Sequence, residues 1–79
     1  MKLLVLGGCA DMAVPLLKRL RNDEMFTEVV VADLDASKAR HLAAEYGPKF
    51  QGVPCDATDS AQVISLMRGC DIAACYVGP

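Results

Sequence analysis

The chain opens with apolar residues that do not alternate with polar ones. Lys2–Gly7 reads K-L-L-V-L-G, the pattern of a strand buried on both faces, as in a parallel sheet. A helical period follows from about Asp11 to Arg21. Ala13, Leu16, Leu17 and Leu20 form its apolar stripe, and Lys18, Arg19 and Arg21 point to solvent. Pro15 falls in the first turn, where a missing N–H removes a donor with no intrahelical partner. N-D-E-M-F turns the chain, and T-E-V-V-V-A-D, residues 27–33, is a second continuous, β-branched strand.

The same alternation of elements runs to the end. D-A-S-K-A-R-H-L-A-A-E-Y-G, residues 35–47, predicts a second helix that Asp35 or Ser37 caps and Gly47 ends in a left-handed conformation. K-F-Q-G-V-P-C-D, residues 49–56, is a weaker strand. Pro54 cannot donate to a ladder, so this strand belongs at an edge. T-D-S-A-Q-V-I-S-L-M-R-G, residues 58–69, predicts a third helix, capped by Thr58 or Asp59, with Val63, Ile64 and Met67 as its stripe and Gly69 as its stop. C-D-I-A-A-C-Y-V-G-P is a fourth strand. The order βαβαβαβ with right-handed crossovers gives an α/β, Rossmann-like parallel sheet with helices on both faces and strand order 3-2-1-4. A doubly wound sheet would continue after such a fourth strand. Residues 1–79 are therefore expected to be the N-terminal part of a dinucleotide-binding domain, truncated after strand 4, with the substrate domain absent.

Composition narrows the partners. In 79 residues 53% are hydrophobic, high for so short a chain, and the formal charge is −2. That balance argues against nucleic acid or an anionic membrane surface as the main partner. No membrane span or signal-peptide core is present, so a cytoplasmic setting is expected. The four cysteines, Cys9, Cys55, Cys70 and Cys75, form no Cys-x-x-Cys pair and read as small reduced hydrophobes at strand ends, not as a metal site or disulfide frame.

Ligands of such sheets sit beyond the carboxyl ends of the strands, where the winding reverses. Three loops converge there. In G-G-C-A-D-M-A, the spacing G-x-G-x-x-G puts Gly8 at the tight turn, Ala10 at the closest approach to a pyrophosphate and Ala13 at the helix–strand contact. Alanine is common at the third position; at the second its methyl intrudes on the phosphate. Asp11 suits a helix start but competes there with a phosphate. By itself the loop reads equally as an ordinary strand–helix turn. Asp33 ends strand 2, where a carboxylate accepts both ribose hydroxyls of an adenosine and repels a 2′-phosphate. With Leu34 and no basic residue next to it, this favours NAD over NADP; the bland alternative is a solvated strand-end aspartate. In C-D-A-T-D, Asp56 is placed for the adenine edge, and Asp59 suits a helix cap. The three signals agree on one ligand.

These segments, K-L-L-V-L-G-G-C-A-D-M-A-V-P-L-L-K-R-L, E-V-V-V-A-D-L-D-A-S-K-A-R-H-L-A, C-D-A-T-D and the closing D-I-A-A-C-Y-V-G-P, together resemble the N-terminal domain of the saccharopine dehydrogenase family. The resemblance implies a nicotinamide-dependent oxidoreductase acting on amino-acid C–N bonds, with a small-molecule amino-acid substrate and a homo-oligomeric assembly. It also implies that Gly7, Gly8, Ala10, Asp11, Met12 and Ala13 form the phosphate loop. Asp33 takes the ribose position, Asp56 and Ala57 the adenine side, and Val77 and Gly78 the nicotinamide half. The chain departs from the family in holding Ala10 and Ala13 in place of glycine. Two rivals share many of these features: a ligand-sensing nucleotide module of the potassium-conductance-regulator type, and an extended short-chain reductase relative, because Gly7, Ala10 and Ala13 also fit G-x-x-G-x-x-G. No catalytic residue is assigned. His41 is expected to face solvent, and Tyr76 and Cys75 to be packing residues.

Overall fold

A computed structural model describes residues 1–8 and 11–76. Four strands, β1 (Lys2–Leu6), β2 (Glu28–Asp33), β3 (Phe50–Pro54) and β4 (Ile72–Cys75), alternate with three α-helices, α1 (Val14–Leu20), α2 (Ala36–Tyr46) and α3 (Ser60–Arg68). The sheet is parallel throughout, in the order β3-β2-β1-β4, which is the Rossmann-like arrangement. In register, Leu4 pairs with Val30 and Ala73, and Asp33 pairs with Pro54 on the edge strand β3. Proline is tolerated there because an edge strand can spare a donor.

The unalternating strands are explained by two apolar clusters. On one face Leu3, Val5, Val29 and Val31 pack beneath α1 and α2, through Ala13, Leu17, Leu20, Ala39 and Ala43. On the other face Leu4, Leu6, Val30 and Ala32 pack beneath α3, through Val63 and Leu66. Leu4, Val5, Leu17, Val29 and Val31 are fully buried, and each such side chain contributes roughly 1.5–3 kcal/mol relative to exposure.

The first helix is not one uniform cylinder. A 3-10 turn over Asp11–Ala13 precedes α1. Pro15 explains it: an α-type bond to the Asp11 carbonyl would need the N–H of residue 15, which proline lacks, so the turn tightens. Asp35, not Ser37, caps α2, its carboxylate accepting from the Lys38 N–H at 3.0 Å. Asp59, not Thr58, caps α3, accepting from Ala61 and Gln62 N–H at 3.0 and 3.3 Å. Gly47 closes α2 at φ 132°, ψ 179°, a mirror-extended conformation that glycine reaches readily and not the left-handed helical one expected.

The α3 side differs most from expectation. Of the predicted stripe, Val63 packs against the sheet, but Ile64 and Met67 are 50% and 46% exposed. Cys75, expected in the core, is exposed, as is Ile72. Tyr76 packs against the α1/α2-side cluster as expected, and its N–H donates to the Leu6 carbonyl at 2.8 Å. His41 is exposed, also as expected. Among the described residues the outer edge of β4 carries no neighbouring strand, and this edge lies beside exposed apolar side chains. Such an edge templates strand pairing. The chain is expected to self-associate as its concentration rises, with light scattering as the measurement; a monomer throughout, with slow exchange of the β4 amides, would refute this. Among the described residues no helix is long and apolar enough to cross a membrane.

Candidate functional site

The carboxyl ends of the strands frame a cleft of about 510 Å³. Leu6 and Gly7 close it from β1, and Ala32, Asp33, Leu34 and Asp35 from the end of β2. Cys55, Asp56, Ala57 and Thr58 close it from the loop after β3. Lys38 enters from the first turn of α2, and Tyr76 from the end of β4. Four predicted site residues thus meet in one place: Gly7, Asp33, Asp56 and Ala57.

The glycine pair divides the work differently from the expected spacing. Gly7 has φ 71°, and its N–H donates to the Ala32 carbonyl at 2.8 Å. It ends β1 and makes the tight turn, a conformation that suits glycine. Gly8 is buried, and a Cβ there would stand 2.5 Å from the Val31 Cγ1 atom. Gly8 is therefore required for close packing on β2, and the turn assigned to it belongs to Gly7. Ala13 is wholly buried in the core, which is the helix–strand contact predicted for it. Asp11 and Met12 are exposed and do not line the cleft. Ala10, Val77 and Gly78 lie outside the described residues.

The two carboxylates are held by local turns. Asp33 Oδ1 accepts from the Asp35 N–H at 3.2 Å, and the Asp33 carbonyl accepts from the Cys55 N–H at 2.9 Å. The first contact belongs to the turn into α2; the second ties the β2 and β3 ends of the cleft together. Asp56 Oδ1 accepts from both the hydroxyl and the N–H of Thr58, at 2.6 and 2.9 Å. The Thr58 hydroxyl, and then its N–H, hold the Asp56 carboxyl below the usual aspartate range. Burial, and then the charges of Asp56 and Asp59, push the Cys55 thiol up. Both causes favour the thiol over the thiolate, which is the reactive form of cysteine.

Asp33 and Asp56 bring two carboxylate acceptors to one cleft, whose other polar lining is Asp35, Lys38 and Thr58; the acceptors suit a ligand that carries neutral donors. Lys38, Thr58, Leu34, Cys55 and Tyr76 were not singled out as site residues from sequence. For Lys38 and Thr58 a signal existed: each lies within three residues of an aspartate that begins a helix, at the end of the sheet where ligands bind. Among the described residues no group of three or more His, Cys, Asp or Glu side chains is placed to hold a metal ion.

No family model and no curated protein sequence matches the chain. Among solved structures, it is similar to the 3-hydroxyacyl-CoA dehydrogenase type-2 of Mycobacterium avium. The identity is 26% and the TM-score 0.78, over 99% of this chain and 32% of that one. The chain thus spans about a third of that dehydrogenase's length and shares the Rossmann-like architecture of the part it matches.

Proposed function

We propose that this chain is the nicotinamide-dinucleotide-binding part of an oxidoreductase, with NAD as its cofactor. The observation that carries the reading is the pair of carboxylates, Asp33 and Asp56, brought to one cleft beyond the strand ends. Asp33 suits the vicinal hydroxyls of an adenosine ribose, and Asp56 the exocyclic amine of its base. Gly7 supplies the turn that brings backbone toward the phosphates; the loop spacing assigns Ala10 to the same phosphate loop, and the family resemblance assigns Val77 and Gly78 to the nicotinamide half. The cofactor would supply hydride transfer. The chain's own residues bind and orient it, and none is assigned to the chemical step. The likeness to a dehydrogenase supports this class of chemistry.

For the substrate, the resemblance to the saccharopine dehydrogenase family supports an amino-acid C–N bond, in a cytoplasmic homo-oligomer. A second reading, a short-chain reductase relative, has its own support. Gly7 makes the turn, which fits the spacing Gly7, Ala10, Ala13, and the solved neighbour is a dehydrogenase of a hydroxyacyl thioester. The two readings share the cofactor and part at the substrate, so assays of the intact protein with an amino acid and with a hydroxyacyl thioester, each with NAD, separate them.

The cofactor reading is tested by calorimetric titration of the chain with NAD. An Ala10→Gly variant is expected to bind NAD about two- to tenfold more tightly, because removing the methyl lets backbone approach the pyrophosphate. Unchanged or weaker binding would count against placing the pyrophosphate at this loop. Absence of NAD binding by the unaltered chain would defeat the reading altogether.

A further inference from the structure

The loop after β3 holds Asp56 more closely than a bare base contact requires. Its Oδ1 atom is committed to Thr58 twice, through the hydroxyl at 2.6 Å and the N–H at 2.9 Å. Its backbone N–H donates to Gln62 Oε1 at 3.0 Å. Gln62 in turn donates through Nε2 to Asp59 Oδ2 at 3.0 Å, the same aspartate that caps α3. A chain of bonds therefore fastens the cleft wall to the first turn of α3 and fixes the orientation of one carboxylate.

We propose that Thr58 and Gln62 are positioning residues of a base subsite that selects adenine over 6-oxo purines. This inference rests on the dinucleotide reading above. Thr58 occupies Oδ1 and leaves Oδ2 as the acceptor for the base edge. Gln62 withholds the one backbone donor of Asp56 that could otherwise meet a carbonyl. Adenine presents an exocyclic amine, a donor, to such a wall. Hypoxanthine presents a carbonyl oxygen at the same place, and its lone pairs face the Asp56 carboxylate, whose own backbone N–H is already given to Gln62. Discrimination of this kind is large where a polar group of the site is left unpaired by the wrong ligand. The hydroxyl of Thr58 also favours the ionised form of Asp56, so the acceptor persists into mildly acidic solution. The charged and titratable groups around it are Asp59 at the α3 cap, Cys55 at the end of β3, Asp33 and Asp35 across the cleft, and Lys38 from α2.

The test compares NAD with nicotinamide hypoxanthine dinucleotide by calorimetric titration, so that the readout is a ratio of affinities and not an activity. The unaltered chain is expected to favour NAD by about tenfold. Thr58→Val is expected to cut that ratio by roughly threefold or more, since the loss of one charge-assisted bond frees the carboxylate to turn. It should also move the acid-side loss of NAD binding to higher pH. Thr58→Ser, which keeps the hydroxyl, is expected to restore both. Asp56→Asn supplies an amide donor for the carbonyl and should bring the ratio close to one, which provides a second measure if Thr58→Val folds poorly. An unchanged ratio in both Thr58→Val and Asp56→Asn, with NAD still bound, overturns the inference and leaves the cofactor reading standing. Failure of the unaltered chain to bind either dinucleotide overturns both.

Discussion

Replacing Gly52 with alanine is expected to destabilise the protein by about 3 kcal/mol, the upper part of the range for overpacking a filled interior. Gly52 lies in β3, where α2 crosses the edge of the sheet. A Cβ there would stand 2.4 Å from the Ala39 carbonyl carbon and from the Arg40 nitrogen, and 2.5 Å from the Ala39 oxygen. All three are backbone atoms of a helix, so no side-chain rotation relieves the overlap. The helix must move off the sheet, and Ala39 and Ala43 must leave the core they fill. Gly69 is the matched control. A Cβ there meets nothing closer than the Leu66 carbonyl oxygen at 3.8 Å, so Gly69→Ala should fall within about 0.5 kcal/mol of the parent. Thermal melts of both variants make the comparison; for a chain of this size the Gly52→Ala midpoint should drop by roughly 12 °C or more. Equal melting of the two would show that α2 is not seated on β3 in this way. Because α2 also carries Asp35 and Lys38 to the cleft, the same variant should bind NAD more weakly.

NAD is expected to bind at least about tenfold more tightly than NADP, and Asp33→Asn is expected to remove most of that preference. The 2′-phosphate carries close to two negative charges. Bringing it near the Asp33 carboxylate costs between about 1 kcal/mol, in fully aqueous surroundings, and about 4 kcal/mol, at a protein surface, for each unit-charge pair. The Lys38 side chain lines the same cleft and offsets part of this repulsion, which keeps the expected factor at the lower end. An amide at position 33 keeps an acceptor for a ribose hydroxyl but lacks the charge. NAD should weaken, and NADP should strengthen. Paired titrations of the unaltered chain and the variant, repeated at high salt where the preference should shrink, give the answer. Tighter binding of NADP by the unaltered chain would sink the assignment of Asp33.

The sheet order was legible because its causes are local and repeat along the chain. Unalternating Leu and Val runs report burial on both faces, and right-handed crossovers leave few ways to join such strands. Pro54 removes a ladder donor, and so its strand had to be an edge. Asp33 and Asp56 could be placed at the ligand end of the sheet because strand ends are marked by the turn chemistry that follows them. The helix caps were narrowed to neighbouring pairs, Asp35 or Ser37 and Thr58 or Asp59, because several residue types can accept from the same amides.

Other features exist only between segments distant in sequence. That Gly7 makes the turn while Gly8 makes room for Val31 depends on how β1 lies against β2, and two adjacent glycines look alike in one dimension. Gly52 reads as a blemish in a weak strand until the backbone of α2 is seen against it. Thr58 reads as one of two caps until its hydroxyl is found on Asp56. The exposure of Ile64, Met67 and Cys75 depends on what lies beside α3 and β4, and periodicity reports which side chains share a face, not whether that face is covered. Sequence by itself determined the strands, their order and the end of the sheet that gathers the acidic loops, since backbone sterics, hydrophobic period and capping are short-range. The tertiary structure decided which glycines are pressed by neighbours and which side chains orient the carboxylates, because close approach between chain segments leaves no imprint on the residues around each one.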